Sequence, residues 1–137
     1  HVVIACPPIG LATSDVFCSF DATEPHGQRP TVSTGNSNQA SGQVTDAVTA
    51  LLSGRLADLG RLLFNQLERA ARRLTDWIDR LVHAFQDVNV LGHAMTGSGT
   101  AYFGLCHNNS HAQRTAAILR GQGLGWICTS QAISWIQ

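Results

Sequence analysis

The chain is 137 residues long and 44% hydrophobic, and its nine acidic residues balance nine basic ones, all arginine. That length suits one domain with its own core, and no apolar run reaches the roughly 18 residues of a membrane-spanning helix. Balanced charge argues against a nucleic-acid footprint, and a chain without lysine has neither the phosphate grip of a Walker loop nor Schiff-base chemistry.

The first element is "VVIAC" (Val2–Cys6), an apolar, β-branched run that reads as a buried strand stopped by Pro7 and Pro8. The start at His1 has no basic n-region and no long apolar stretch, so no signal peptide is predicted. An immediate strand suggests a piece of something longer, although a mature or tag-trimmed protein would begin the same way. Gly10–Phe17 reads as a loop entering a short helix, with Thr13 or Ser14 as its N-cap. Asp21–Gln43 is rich in Gly, Ser, Asn, Thr and Pro and reads as a long flexible loop.

Helices are predicted over Thr45–Ser53, closed by Gly54, and over Leu56–Leu63. A third is predicted from Asn65 to Phe85. Leu59, Leu63, Leu67, Ala70, Leu74, Trp77, Leu81 and Phe85 recur at steps of three and four as one core-facing stripe. Leu67, Leu74, Trp77 and Leu81 are the positions expected against the sheet. Two strand-like runs, "VLGHAM" and "TAYFGLC", then flank Thr96-Gly97-Ser98-Gly99. A helix over Ser110–Arg120 follows, with Asn108–Ser110 as its cap region, and "LGWICTS" supplies the last strand. The order implies an α+β fold of the ferredoxin-like, split βαβ type. Its four-stranded antiparallel sheet takes residues 2–6, 91–96, 100–106 and 125–130, with helices on one face.

Taken alone, Thr96-Gly97-Ser98-Gly99-Thr100 is most simply a hairpin turn, because glycine supplies positive φ. It is neither GxxxxGK[ST] nor a dinucleotide fingerprint, since a strand and not a helix follows it. His107 and His111 beside Cys106 have a metal-like spacing, but no nearby acid or second cysteine completes a set, and no metal site is assigned. Asp15 suits a cap or turn better than a catalytic acid. Cys6, Cys18, Cys106 and Cys128 form no CxxC pair and read as reduced, mostly buried thiols of a cytoplasmic chain. Trp77, Trp126 and Trp135 are expected to pack.

Three blocks carry a resemblance. "PPIGLATSDVF" (Pro7–Phe17), "LLFNQLERAARRL" (Leu62–Leu74) and "AMTGSGTAYFGL" (Ala94–Leu105) stand in the order of three segments of the C-terminal domain of the GHMP kinase superfamily, and the third is the specific one. The likeness is strongest to the branch acting on a cytidine-diphosphate-linked methylerythritol. Gln66 stands where that branch has an acid, and Thr75-Asp76 where it has a proline. The resemblance implies an ATP-dependent kinase using Mg2+ and a small-molecule alcohol, with no nucleic acid or membrane partner. It also implies a preceding N-terminal domain that holds most of the nucleotide site and the catalytic groups, so that this segment alone would be inactive. Thr96, Gly97, Ser98, Gly99 and Thr100 would form the phosphate and substrate loop, and Gly10 and Thr13 the substrate-side cleft. A homoserine or mevalonate-type kinase, or a free-standing ferredoxin-like binding module, is the alternative.

Overall fold

Strands β1 (Val2–Cys6), β2 (Gly92–Met95), β3 (Tyr102–Leu105) and β4 (Trp126–Ser130) form one sheet in the order β2-β3-β1-β4, every neighbouring pair antiparallel. The computed structural model describes residues 1–22 and 37–132, with side chains of the second stretch from residue 42 onward. β3 lies between β1 and β2, and β1 between β3 and β4, which is the split βαβ arrangement expected. The helices are α1 (Thr13–Asp21), α2 (Ser37–Leu52), α3 (Leu56–Leu62), α4 (Glu68–Leu74), α5 (Trp77–Gln86) and α6 (Asn109–Arg120).

Alternation along the strands selects the core. In β1, Val3 and Ala5 are fully buried while their neighbours are half-buried. Register places Val3 beside Gly104 and Thr129, and Ala5 beside Tyr102 and Ile127, so these side chains share one face. On that face lie Val16 of α1, Ala70 and Ala71 of α4, Ile78, Leu81, Val82 and Phe85 of α5, and Ala112, Ala116 and Leu119 of α6. Gly104 makes room for Phe85: a Cβ there would come within 2.8 Å of the Phe85 ring.

The expected 65–85 helix is two helices. Thr75 is extended (φ −161°, ψ 140°), and its Oγ1 accepts the Trp77 N–H at 3.3 Å, ending α4 and starting α5. The stripe changes phase there. Ile78, Leu81, Val82 and Phe85 turn inward, Leu67 and Trp77 are half-buried, and Leu74 is 41% exposed, against the expectation that it faces the sheet. Arg80 lies over the Trp77 ring, 3.9 Å from its centroid. Trp126, expected to pack, is 65% exposed, and Trp135 lies outside the described residues.

The Asp21–Gln43 loop is corrected at both ends: Asp21 closes α1, and Ser37–Gln43 belong to α2. Residues 23–36 lie outside the described residues. Polar, β-branched and glycine positions hide the first half of α2 from a propensity reading, and in its second half Thr49 Oγ1 donates to the Thr45 carbonyl at 2.8 Å. α2 packs on α3, and α3 reaches β2 where Gly60 and the Leu91–Gly92 backbone touch without side chains between them. Gly92 pairs with Leu105, on the face opposite the main core, so α2 and α3 sit at this edge and not in the helical layer. Not every helix, therefore, covers one face.

Candidate functional site

The glycine loop joins β2 to β3. Thr96 N–H donates to the Ala101 carbonyl at 2.9 Å, and Gly99 N–H to the Thr96 carbonyl at 3.1 Å. Gly97 (φ +58°) and Gly99 (φ +100°) both take the left-handed region that side chains disfavour. Space differs between them: a Cβ on Gly97 would meet nothing within 4 Å, whereas one on Gly99 would lie 3.1 Å from Met95 Sδ.

Two distant segments close on this loop. Thr13 and Ser98 share a hydroxyl hydrogen bond of 2.9 Å across 85 positions of sequence. Thr13 is thus not the N-cap expected of it; the cap of α1 is Ala12, with no side-chain hydrogen bond, and Ser14 Oγ donates to Asp15 Oδ1 at 3.4 Å. Thr100, only 8% exposed, donates its hydroxyl to the Ile9 carbonyl at 2.6 Å, which ties the loop's exit to the residue before Gly10. Gly10 is exposed with open space around it. From the other side Asn65, between α3 and α4, donates its Nδ2 hydrogens to the Met95 and Gly97 carbonyls, each at 2.8 Å, while its Oδ1 accepts Leu67 N–H at 2.9 Å. Thr96 and Gly97 remain exposed and Ser98 and Gly99 half-exposed, so the loop presents backbone and hydroxyl groups to solvent. Such a surface suits an anion better than an apolar group.

Behind the loop runs a chain of polar groups. Tyr102, 1% exposed, donates to Glu68 Oε2 at 3.2 Å, and Arg72 donates to Glu68 Oε1 at 3.1 Å. With the phenol hydrogen committed to the carboxylate, His93 Nδ1, 3.0 Å from the Tyr102 oxygen, is the donor of that pair. Burial, reinforced by Glu68, pushes the Tyr102 phenol well up, and burial lowers His93 against the opposing pull of Glu68. The phenol therefore stays neutral and acts as a link between β3 and α4.

Sequence reasoning assigned no role to Asn65, Glu68, His93 or Tyr102. Two signals pointed at the first two: their place in the resembling block Leu62–Leu74, and the spacing of an asparagine three positions before a glutamate at a helix start. His107 and His111 stack with centroids 5.5 Å apart, and His111 Nδ1 accepts His107 N–H at 3.2 Å. Among the described residues no group of three or more His, Cys, Asp or Glu side chains could hold a metal ion. The cysteines are free; Cys106 is buried, Cys6 and Cys128 half-buried, and Cys18 exposed, so the expectation of mostly buried thiols is met at one position. No described helix is long and apolar enough to cross a membrane.

A split βαβ sandwich whose β2–β3 turn is a glycine loop held by two other segments is a recognisable class of domain. Residues 47–123 match the family described as GHMP kinases C terminal, more than half of the chain, and the chain belongs to that family. It is 33% identical over 124 residues to a 4-diphosphocytidyl-2-C-methyl-D-erythritol kinase of Thermobifida fusca, and 32% identical to one of Rhodococcus jostii. Each alignment covers 90% of this chain, which spans only 36–37% of those relatives. Among solved structures, a 4-(cytidine 5'-diphospho)-2C-methyl-D-erythritol kinase superposes with a TM-score of 0.66 at 25% identity over 93% of this chain and 40% of its own. The L. major mevalonate kinase superposes with a TM-score of 0.68 at 19% identity, over the same shares of the two chains, and shows the shared fold.

Proposed function

We propose that this chain is the substrate-side, C-terminal domain of a cytoplasmic ATP-dependent kinase that phosphorylates a hydroxyl group of a small molecule. A nucleotide-binding domain N-terminal to it would complete the site. The observation that carries the reading is the Thr13–Ser98 hydrogen bond, which joins the first of the three resembling blocks to the third. Two hydroxyls, a positive-φ glycine loop and open space at Gly97 then share one exposed patch.

Phosphoryl transfer needs positioning and charge stabilisation more than covalent chemistry, and this patch offers both. Gly97 and Gly99 let the backbone approach an anion closely, and the Thr96 and Ser98 hydroxyls can add donors. Thr100, its hydroxyl turned inward, acts as a latch. Thr13, through Ser98, connects the loop to the side on which the alcohol is held, with Gly10 at its margin. Bound Mg-ATP supplies the transferable phosphoryl group. In this reading the ion is held mainly by the nucleotide-binding domain and by the phosphates themselves.

The acceptor proposed is a cytidine-diphosphate-linked methylerythritol, on the strength of relatives of that name at 32–33% identity. The full reading frame should form ADP with Mg-ATP and this alcohol, and far less with homoserine or mevalonate. This chain by itself should transfer nothing. Turnover of homoserine or mevalonate alone would move the acceptor to another branch, and ADP formation with none of the three would overturn the kinase reading in favour of a binding module.

A further inference from the structure

We propose that Asn65 is the positioning residue of the glycine loop: its carboxamide fixes the Gly97–Ser98 peptide so that the Ser98 N–H faces outward, ready for an anionic oxygen. This deepens the kinase reading and rests on it for what the anion is, a phosphate of the reactants.

Nothing else in the loop fixes that peptide. The turn's own hydrogen bonds engage Thr96 N–H, Ala101 O, Gly99 N–H and Thr96 O, but not the Gly97 carbonyl. Turning that peptide over changes ψ of Gly97 and φ of Ser98, and glycine, without a Cβ, leaves its own side of the rotation least hindered. Asn65 removes the choice. Its Nδ2 carries two hydrogens, and both are used, on the Met95 and Gly97 carbonyls at 2.8 Å each. In a trans peptide the N–H runs antiparallel to the C=O, and the Gly97–Ser98 unit is trans. Once Gly97 O faces Asn65, Ser98 N–H faces away from it.

The carboxamide is itself held. Oδ1 accepts Leu67 N–H at 2.9 Å, so the group is oriented by the start of α4 before it meets the loop. The reverse assignment of its nitrogen and oxygen would set an oxygen against two carbonyl oxygens and a nitrogen against an N–H, so all three contacts agree on one orientation. A carboxylate could keep the Leu67 contact but would repel both carbonyls. That asymmetry separates the loop role from the helix-start role.

The test is made in the full reading frame with Asn65→Asp and Asn65→Ser. Both can retain an acceptor for Leu67 N–H, and neither can donate to two carbonyls. Asn65→Asp should lower kcat at least tenfold while KM for the alcohol changes less than threefold, and hydrogen exchange across residues 96–99 should accelerate at least tenfold. Asn65→Ser should do the same to a smaller extent, and it carries the test should the aspartate variant not fold. A kcat within twofold of wild type in the folded variants, with exchange unchanged, would overturn the proposal, because a residue needed only to start α4 would leave both readouts alone. If the unaltered protein transfers no phosphate to any alcohol, the kinase reading fails separately. Exchange across 96–99 then decides by itself whether Asn65 holds the loop.

Discussion

Replacing Gly97 by valine sets backbone strain against function at one position. Gly97 has φ +58°, within the left-handed helical region, where a side chain costs about 1–2 kcal/mol and a β-branched one stands at the upper end. No steric term adds to this, because a Cβ there meets no atom within 4 Å. A loss of about 2 kcal/mol, at about 2.1 cal/mol/K per residue over the 137 residues, corresponds to a melting shift of about 7 °C. The effect on turnover should be larger. If the loop's backbone approaches the transferring phosphate, losing that approach resembles losing an oxyanion donor, a factor of about 100–1,000 in kcat. Gly97→Ala should show most of the strain and less of the obstruction. Calorimetric melts beside steady-state kinetics of the full reading frame would separate the two effects. A Gly97→Val protein with the expected melt and turnover within threefold of wild type would show that the loop is only a hairpin.

The helical layer offers a sharper contrast than one continuous stripe would. Leu81→Ala should cost about 2–5 kcal/mol and Leu74→Ala less than about 1 kcal/mol in urea denaturation, since Leu81 is fully buried and Leu74 is 41% exposed; equal losses would restore the single helix. Gly60→Ala should cost about 3 kcal/mol, because its Cβ would land on the Leu91 carbonyl and push α3 off β2, and an unchanged denaturation midpoint would show that α3 shifts freely. His93 is lowered in the folded protein from 6.5, so between its folded pKa and 6.5 the unfolded chain binds more protons and stability rises with pH. Its contribution is complete above about 6.5 and is lost as pH falls through the folded value. His93→Gln should flatten the slope of the urea midpoint between pH 5 and pH 7 relative to wild type, and parallel curves would remove His93 as its source.

Much of this architecture is legible along the chain. "VVIAC" announces β1 because apolar β-branched residues fit a pleated, buried surface. The two runs flanking Thr96–Gly99 announce a hairpin because a glycine-bearing turn separates two short apolar stretches, and Asn108 does cap α6, its side chain accepting His111 N–H. Gly54, at φ +68°, closes the segment after α2 as its position suggests. These features depend on residues within a few positions of one another, where period and turn chemistry act.

What the sequence alone did not determine lies across longer distances. Thr13 looks like an N-cap until folding brings Ser98 within 2.9 Å of it, and a hydroxyl with two uses takes the partner that tertiary structure supplies. The break at Thr75 is invisible in the apolar spacing, since a helix and two helices in tandem share nearly the same period. It becomes definite only when Ile78, Leu81 and Phe85 must meet the sheet at a different phase from Ala70 and Ala71. Likewise Asn65 and Gly97, 32 positions apart, carry no mutual signal in the chain. Local preferences select the elements, but a side-chain hydrogen bond between them exists only after packing has fixed which backbone groups lie within reach.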